Sequence, residues 1–345
     1  MLTSFVVPTY RRPSALQLTL EALFELDHPA SEFEVIVVDD GSGDDTISTV
    51  ETISADRPNL KLLALANSGV ARARNAGAEA AAGELLIFLD DDIIVAPDHV
   101  ERHLAARAAH GDCLVNGHWE FSPATLEALE ATPFGRFRIG VESWVKGETE
   151  KQPLPDGRLR PSTVTAANLS ISKRLFVALG GFDATFPYAG CEDQEFAYRA
   201  AEADCAFIYD PAIRLLHNDG RLTERQFCER QRRGAITAVF LAARHPEAYA
   251  GRPLMTENAP LSRHDPLPRT LKKIVKSLYA SAPGLWTVAL VTHVLERMAP
   301  RSALLRKLYK MTVGAYIFRG IREGLEQMPD VRSAVQRAQV RAGHA

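Results

Sequence analysis

The run Phe88-Leu89-Asp90-Asp91-Asp92 sets three carboxylates directly after a segment apolar enough to be a central strand. Adjacent like charges repel, and an unpaired cluster at a buried strand end is costly. A divalent cation would relieve that cost. Hard oxygen ligands suit Mg²⁺ or Mn²⁺, which take one or two carboxylates and complete their shell with phosphate and water. An acidic, solvated turn is the plainer alternative. Val37-Val38-Asp39-Asp40-Gly41-Ser42 repeats the arrangement at a second strand end. An Asp capping the following helix would explain one of its two carboxylates but not both. Gly41-x-Gly43 begins a dinucleotide fingerprint, but Thr46 stands at the third glycine position, which disfavours a Rossmann dehydrogenase. His99 and His103 have metal-like spacing on a helix, yet no acidic third ligand accompanies them, so the pair reads as surface.

The elements that must position these carboxylates alternate. Phe5–Val7, Val35–Val38, Leu60–Ala64 and Leu85–Leu89 read as buried strands, and Ser14–Leu26, Thr46–Ala55 and Val70–Ala82 between them have helical spacing. That rhythm predicts an α/β fold, a mostly parallel sheet flanked by helices. Ligands of such sheets lie beyond the carboxyl ends of the strands. Pro8-Thr9-Tyr10, Asp39-Asp40 and Asp90-Asp91-Asp92 all fall there. From Gly111 to Pro161 the pattern loosens, with Trp119, Trp144 and several Pro and Gly, as an insertion or substrate-side region would. Lys173–Leu179 and Glu192–Ala203 read as helices, and Ala206–Tyr209 and Ile213–Leu216 as closing strands.

Lys and Arg number 40 against 43 Asp and Glu, so no net field draws the chain to nucleic acid. The four cysteines never form C-x-x-C and suggest neither a zinc site nor a disulfide framework. A reducing cytoplasm is the expectation. The first residues are too short and too uncharged for a signal peptide, and no apolar run approaches the roughly 18 residues of a membrane span. Any membrane contact is therefore expected at the surface, at the inner face of the cell membrane.

Seven blocks in order resemble the GT-A glycosyltransferases of family two. They are Val6-Val7-Pro8-Thr9-Tyr10, Val37-Val38-Asp39-Asp40-Gly41-Ser42, and Asn67-x-Gly69 with Ala73-Arg74-Asn75-x-Gly77, followed by Phe88-Leu89-Asp90-Asp91-Asp92, Asn168-Leu169-Ser170, Gly180-Gly181-Phe182-Asp183 and Glu192-Asp193-x-Glu195. The resemblance implies an inverting, metal-dependent transfer of one sugar from a nucleotide-diphosphate sugar to an acceptor hydroxyl. It places Pro8, Thr9 and Tyr10 at the base pocket, with Asp40 hydrogen-bonding the base, Arg74 close to the nucleotide and Asp91 near the ribose. Asp90 and Asp92 fit the ends of the family's D-x-D, with His217 as a further ligand for Mn²⁺ or Mg²⁺. Asp193, beside Glu192, takes the place of the general base. A neighbouring carboxylate and partial burial would raise its pKa toward a useful range. First-turn charge at a helix start is a compatible reading of the same pair. Asn168, Gly181 and Phe182 would face the acceptor. Cys191 departs from the glycine common in relatives, and the Q-x-x-R-W of processive enzymes is absent at Gln231-Arg232-Arg233-Gly234, so one sugar per encounter is expected.

The expected organisation is a GT-A catalytic domain over 1–250 and a helical C-terminal region over 251–345. In the latter, Leu271, Ile274, Val275 and Leu278 share one helical face, ringed by Arg269, Lys272, Lys273 and Lys276. Such a helix lies on an anionic membrane, or packs on the core or on a second subunit. The acceptor itself is left open: a sugar, a lipid-linked molecule or a small molecule. Two rival functions use the same rim. A sugar nucleotidyltransferase would show a Gly-rich basic loop where Thr9-Tyr10-Arg11-Arg12 stands, and a nucleotide-sugar-binding scaffold would not need both Asp92 and Asp193.

Overall fold

The computed structural model describes residues 1–148 and 151–343; residues 149–150 of the irregular stretch and 344–345 of the C-terminal region lie outside it. In chain order the strands are β1 (Thr3–Thr9), β2 (Phe33–Asp39), β3 (Leu60–Ala64), β4 (Leu85–Leu89), β5 (Ile93–Val95), β6 (Leu114–Phe121), β7 (Lys151–Pro153), β8 (Leu159–Pro161), β9 (Asn168–Ser172) and β10 (Phe207–His217). The first helices are α1 (Pro13–Leu23), α2 (Thr46–Ser54), α3 (Val70–Ala80), α4 (His99–His110), α5 (Pro123–Glu130), α6 (Pro133–Glu148), α7 (Lys173–Ala178) and α8 (Glu192–Glu202). There follow α9 (Glu224–Arg244), α10 (Pro246–Tyr249), α11 (Pro253–Thr256), α12 (Leu267–Tyr279), α13 (Ala282–Met298), α14 (Ala303–Gln327) and α15 (Pro329–Gly343).

The chain divides into two units. The first comprises Met1–Leu126, Val145–Phe186 and Glu192–Gly220, and the second Glu127–Trp144, Pro187–Cys191 and Arg221–Ala345. In the first, the strands form one sheet in the order β3-β2-β1-β4-β9-β6-β10-β8-β7, with β5 also on β10. The pairs among β3, β2, β1 and β4 are parallel, while β9 runs antiparallel to β4 and to β6. Alternate strand residues supply two cores. Val6, Ile36, Val38 and Phe88 pack with α3 and the aromatic rings on one face, whereas Phe5, Val7, Val35 and Val37 meet Leu16 and Leu20 of α1 on the other. Pro8 stands two residues past the last β1–β4 pair, Val6–Phe88, where a missing backbone donor costs no ladder bond on that side.

The four expected strands and three expected helices of the first third are present, with ends shifted by a few residues. Two expectations are corrected. The stretch 111–161 contains β6, an interior strand, which its polar Asn116, Gly117 and His118 concealed. Asn116 is satisfied by the carbonyls of Thr165 and Asn168, and a Cβ on Gly117 would lie 2.4 Å from Ile213 Cγ2. The two closing strands are one, β10, whose pairing with β6 shifts register between Asp210 and Arg214, around Pro211.

The second unit is helical. α9 and α14 pack lengthwise, and Phe134, Phe137, Phe227, Leu305 and Tyr309 form an apolar cluster. A Thr223–Gln226 capping box starts α9, satisfying two otherwise orphaned donors.

Candidate active site

The carboxyl ends of β1, β2 and β4 present the acidic residues. Asp39 accepts hydrogen bonds from the Ser42 backbone and hydroxyl, closing the turn after β2. Asp40 accepts from the backbone N–H groups of Ser68 (2.7 Å) and Gly69 (2.9 Å), so its carboxylate fixes the loop that opens α3. Gly41 sits at φ 77°, and a Cβ there would meet the Asn67 nitrogen at 2.8 Å, which only glycine avoids. Thr9 is buried and donates to Asp91 (2.8 Å), whereas Tyr10 is exposed, with the Arg11 guanidinium 5.1 Å from its ring centroid.

Asp90, Asp91 and Asp92 form the turn between β4 and β5, and Asp91 and Asp92 share Arg12 while Asp90 pairs elsewhere. Arg12 holds Asp91 at 2.6 Å and Asp92 at 2.5 Å. Asp92 also meets His217 Nε2 at 3.2 Å. Burial works against the Asp92 charge, but His217 and Arg12 together hold its carboxyl well below the ordinary range. Ligand atoms of Asp92, His217 and Asp219 all lie within 4.8 Å of one another. Two carboxylates and an imidazole suit a divalent cation. Of the expected ligands, Asp92 and His217 are thus brought together; Asp90 pairs instead with Arg74 (2.7 Å).

The imidazole of His217 is set by β6. Trp119 meets it edge-on at 5.4 Å and Phe121 lies parallel to it at 6.4 Å. His217 pairs directly with Phe121 in the β10–β6 ladder, so strand register fixes this aromatic wall.

Arg74 is buried and spans the site. One terminal nitrogen lies 2.7 Å from Asp90 and the other 2.7 Å from Glu192, the first residue of α8. Its Nε has no partner among the described residues. The next residue, Asp193, is half-buried and pushed up to about 6, first by burial and then by the Glu192 charge, against the pull of Arg74. The Gln194 N–H (2.8 Å) and the Thr165 hydroxyl also hold it. Cys191, just before this helix, has φ 77°, a backbone region that favours glycine.

The residues expected at the acceptor lie inside the fold. Phe182 is 2% exposed, its ring packed with Phe88, Phe176 and Phe196. Asn75 clamps the Phe182 backbone, donating to its carbonyl (2.8 Å) and accepting from its N–H (2.9 Å), while the Gly181 carbonyl accepts from Arg199. Asn168 approaches His103 through Oδ1 (3.3 Å) and leaves its buried Nδ2 without a partner among the described residues. The surface reading of His99 and His103 is overturned: both are buried, His99 stacked on Phe5 and His103 bonded to Ser170 (2.8 Å). Burial lowers both imidazoles, His99 to about 4, so they pack as neutral rings. The sequence reading missed Arg12, Asp219 and the β6 aromatics as site residues. Asp219 was signalled by its place two residues after His217, and Arg12 by its place just beyond the end of β1.

Residues 4–136 match glycosyl transferase family 2. The chain is 32% identical over 220 residues to validoxylamine A glucosyltransferase of Streptomyces hygroscopicus subsp. jinggangensis, covering 57% of this chain and 51% of that protein. It thus spans about half the length of such relatives. Among solved structures, the mannosyltransferase PcManGT from Pyrobaculum calidifontis, in complex with GDP-Man and Mn²⁺, aligns with a TM-score of 0.60 at 19% identity, over 94% of this chain and 87% of that one. S. aureus TarS 1–349 in complex with UDP aligns with a TM-score of 0.50 at 20% identity, over 95% and 92%.

Proposed function

We infer that this family 2 glycosyltransferase, whose fold is the GT-A fold, transfers one sugar from a nucleotide-diphosphate sugar to an acceptor hydroxyl with inversion at the anomeric carbon. The observation that carries the reading is the Arg74 bridge, in which one buried guanidinium ties the Asp90 turn to the helix start that bears Asp193. Donor-side charge and acceptor-side base are thereby held in one rigid frame.

In this reading Asp193 takes the proton of the acceptor hydroxyl as its oxygen bonds to the anomeric carbon. The bond from that carbon to the diphosphate oxygen breaks, and the nucleotide diphosphate leaves with the electron pair. One base and one displacement give inversion. A carboxyl raised to about 6 is a stronger base than an ordinary aspartate and still ionised at neutral pH. Asp92, His217 and Asp219 would hold Mn²⁺ or Mg²⁺, which supplies charge stabilisation to the departing diphosphate when bound. The complexes of related folds with GDP-Man and with UDP support a purine or pyrimidine diphosphate sugar as donor.

The test pairs thermal shift with nucleotide release. UDP-glucose, UDP-GlcNAc and GDP-mannose are each offered with Mn²⁺, Mg²⁺ or EDTA. One donor should stabilise the protein only with metal. Asp193→Asn should keep that stabilisation and lose turnover; near wild-type turnover in this variant would sink the mechanism.

A further inference from the structure

In the helical unit, α12 is built inside out. Its inward side is polar: Lys273 is fully buried, with Nζ 2.7 Å from Asp265 and 3.2 Å from the Pro260 carbonyl, and Lys276 reaches Asn258 at 3.0 Å. Its outward side is apolar, with Leu267, Leu271, Ile274, Val275 and Leu278 between 41% and 70% exposed. Helices of water-soluble surfaces do the reverse, because burial of apolar side chains drives their packing. α13, bent 77° from α12, also exposes apolar side chains, Trp286, Leu290, Val291, Val294 and Met298, though its inward side carries Val288. A contiguous run of exposed apolar side chains of this kind marks a surface meant for another apolar medium.

Charge selects the medium. Residues 267–310 contain nine Lys and Arg and one acid, Glu296, in a chain whose net charge is −3. Lys272 and Lys273 are matched by Glu257 and Asp265, while Arg297, Arg301, Arg306, Lys307 and Lys310 are exposed. A second copy would bring the same positive field to the interface and repel it. An anionic lipid surface complements it, and an exposed tryptophan belongs at the boundary between headgroups and acyl chains. Among the described residues no single helix is long and apolar enough to cross a membrane.

We propose that α12 and α13 form a membrane-docking elbow that lays its apolar side chains into the interface of an anionic bilayer, with the basic residues of α13 and α14 at the headgroups. Docking of this kind needs both apolar burial and electrostatic attraction.

Flotation of the full chain with vesicles tests it, comparing pure phosphatidylcholine with a mixture containing roughly one third phosphatidylglycerol. Wild type should float with the anionic vesicles, weakly with the neutral ones, and less at high salt. Trp286 emission should shift to the blue on binding, and Trp286→Phe should remove that shift. The double variant Leu271→Glu/Leu278→Glu changes two exposed side chains and should melt like wild type while its bound fraction falls by about tenfold or more. Absence of flotation, or flotation retained by the double variant, overturns the proposal. So does a wild-type dimer that the double variant converts to monomer without any vesicle binding, which would assign the surface to a second copy of this chain.

Discussion

The Arg12 guanidinium lies 2.5 Å from the Asp92 carboxylate, so a protein cation already touches the acid best placed to hold a metal ion. Its other arm holds Asp91 at 2.6 Å, and the Arg12 side chain is 29% exposed. Arg12→Ala leaves two buried acids short of countercharge, which costs about 3–5 kcal/mol of stability. A metal ion binding to Asp92 would replace part of the missing charge. Mn²⁺ should therefore raise the melting temperature of the variant more than that of wild type. Thermal melts with Mn²⁺ and with EDTA check this, and equal shifts for the two proteins would contradict it.

Arg74 makes a different demand, since its two arms must reach Asp90 and Glu192 at once. Lysine keeps the charge but offers a single point of contact and cannot bridge both. Arg74→Lys should fold and lose turnover by about 100-fold, because Asp193 is left free to drift from its working position. Glu192→Gln, which can still accept from Arg74, should lose less. Steady-state rates with donor saturating separate the two. A larger loss in Glu192→Gln than in Arg74→Lys would show that charge, rather than the bridge, matters.

The parallel half of the sheet was legible because β1, β2 and β4 are buried on both faces, and burial of that kind writes an uninterrupted apolar run into the sequence. β6 left no such trace, since Asn116, Gly117 and His118 answer to particular neighbours rather than to an apolar face. The acidic turn and the Glu192–Asp193 helix start were visible for a related reason: clustered charge is expensive and stands out. Arg12, Asp219 and the inward-facing His103 stood out less, because their meaning lies in partners 80, 127 and 67 positions away. The polarity of α12 was read correctly as amphipathic, but which side faced inward depended on Asp265 and Asn258, which lie outside the helix.

The pH response of the reaction should follow Asp193. Its carboxyl is raised to about 6 by burial and Glu192, so it carries a proton below that value and cannot act as a base there. Turnover should climb between pH 5 and 7 with a midpoint near 6. The sign for stability is opposite. A carboxyl whose folded pKa lies above its unfolded value of about 3.9 favours the fold when protonated, and that contribution is lost as pH rises through 6. Asp193→Asn removes the loss, so the inactive variant should be more stable than wild type above pH 6 and no more stable at pH 4. Denaturant melts across that range decide it.

Two glycines separate packing from propensity. A Cβ on Gly77, in α3, would lie 2.4 Å from Val6 Cγ1 and 3.0 Å from Val38 Cγ2, so Gly77→Ala must push the helix off the sheet. Overpacking of this kind costs about 1–3 kcal/mol, which outweighs the gain of about 1 kcal/mol that alanine brings to a helix interior. Gly234, in α9, has open space where its Cβ would stand, and Gly234→Ala should stabilise the protein by about 0.5–1 kcal/mol. α3 also carries Arg74, so moving it should lower turnover as well as stability, whereas Gly234→Ala should leave turnover unchanged. Chemical denaturation and rate measurements on both variants provide the comparison. If Gly77→Ala stabilised the protein as Gly234→Ala does, close packing of α3 on β1 and β2 could not be what requires glycine there.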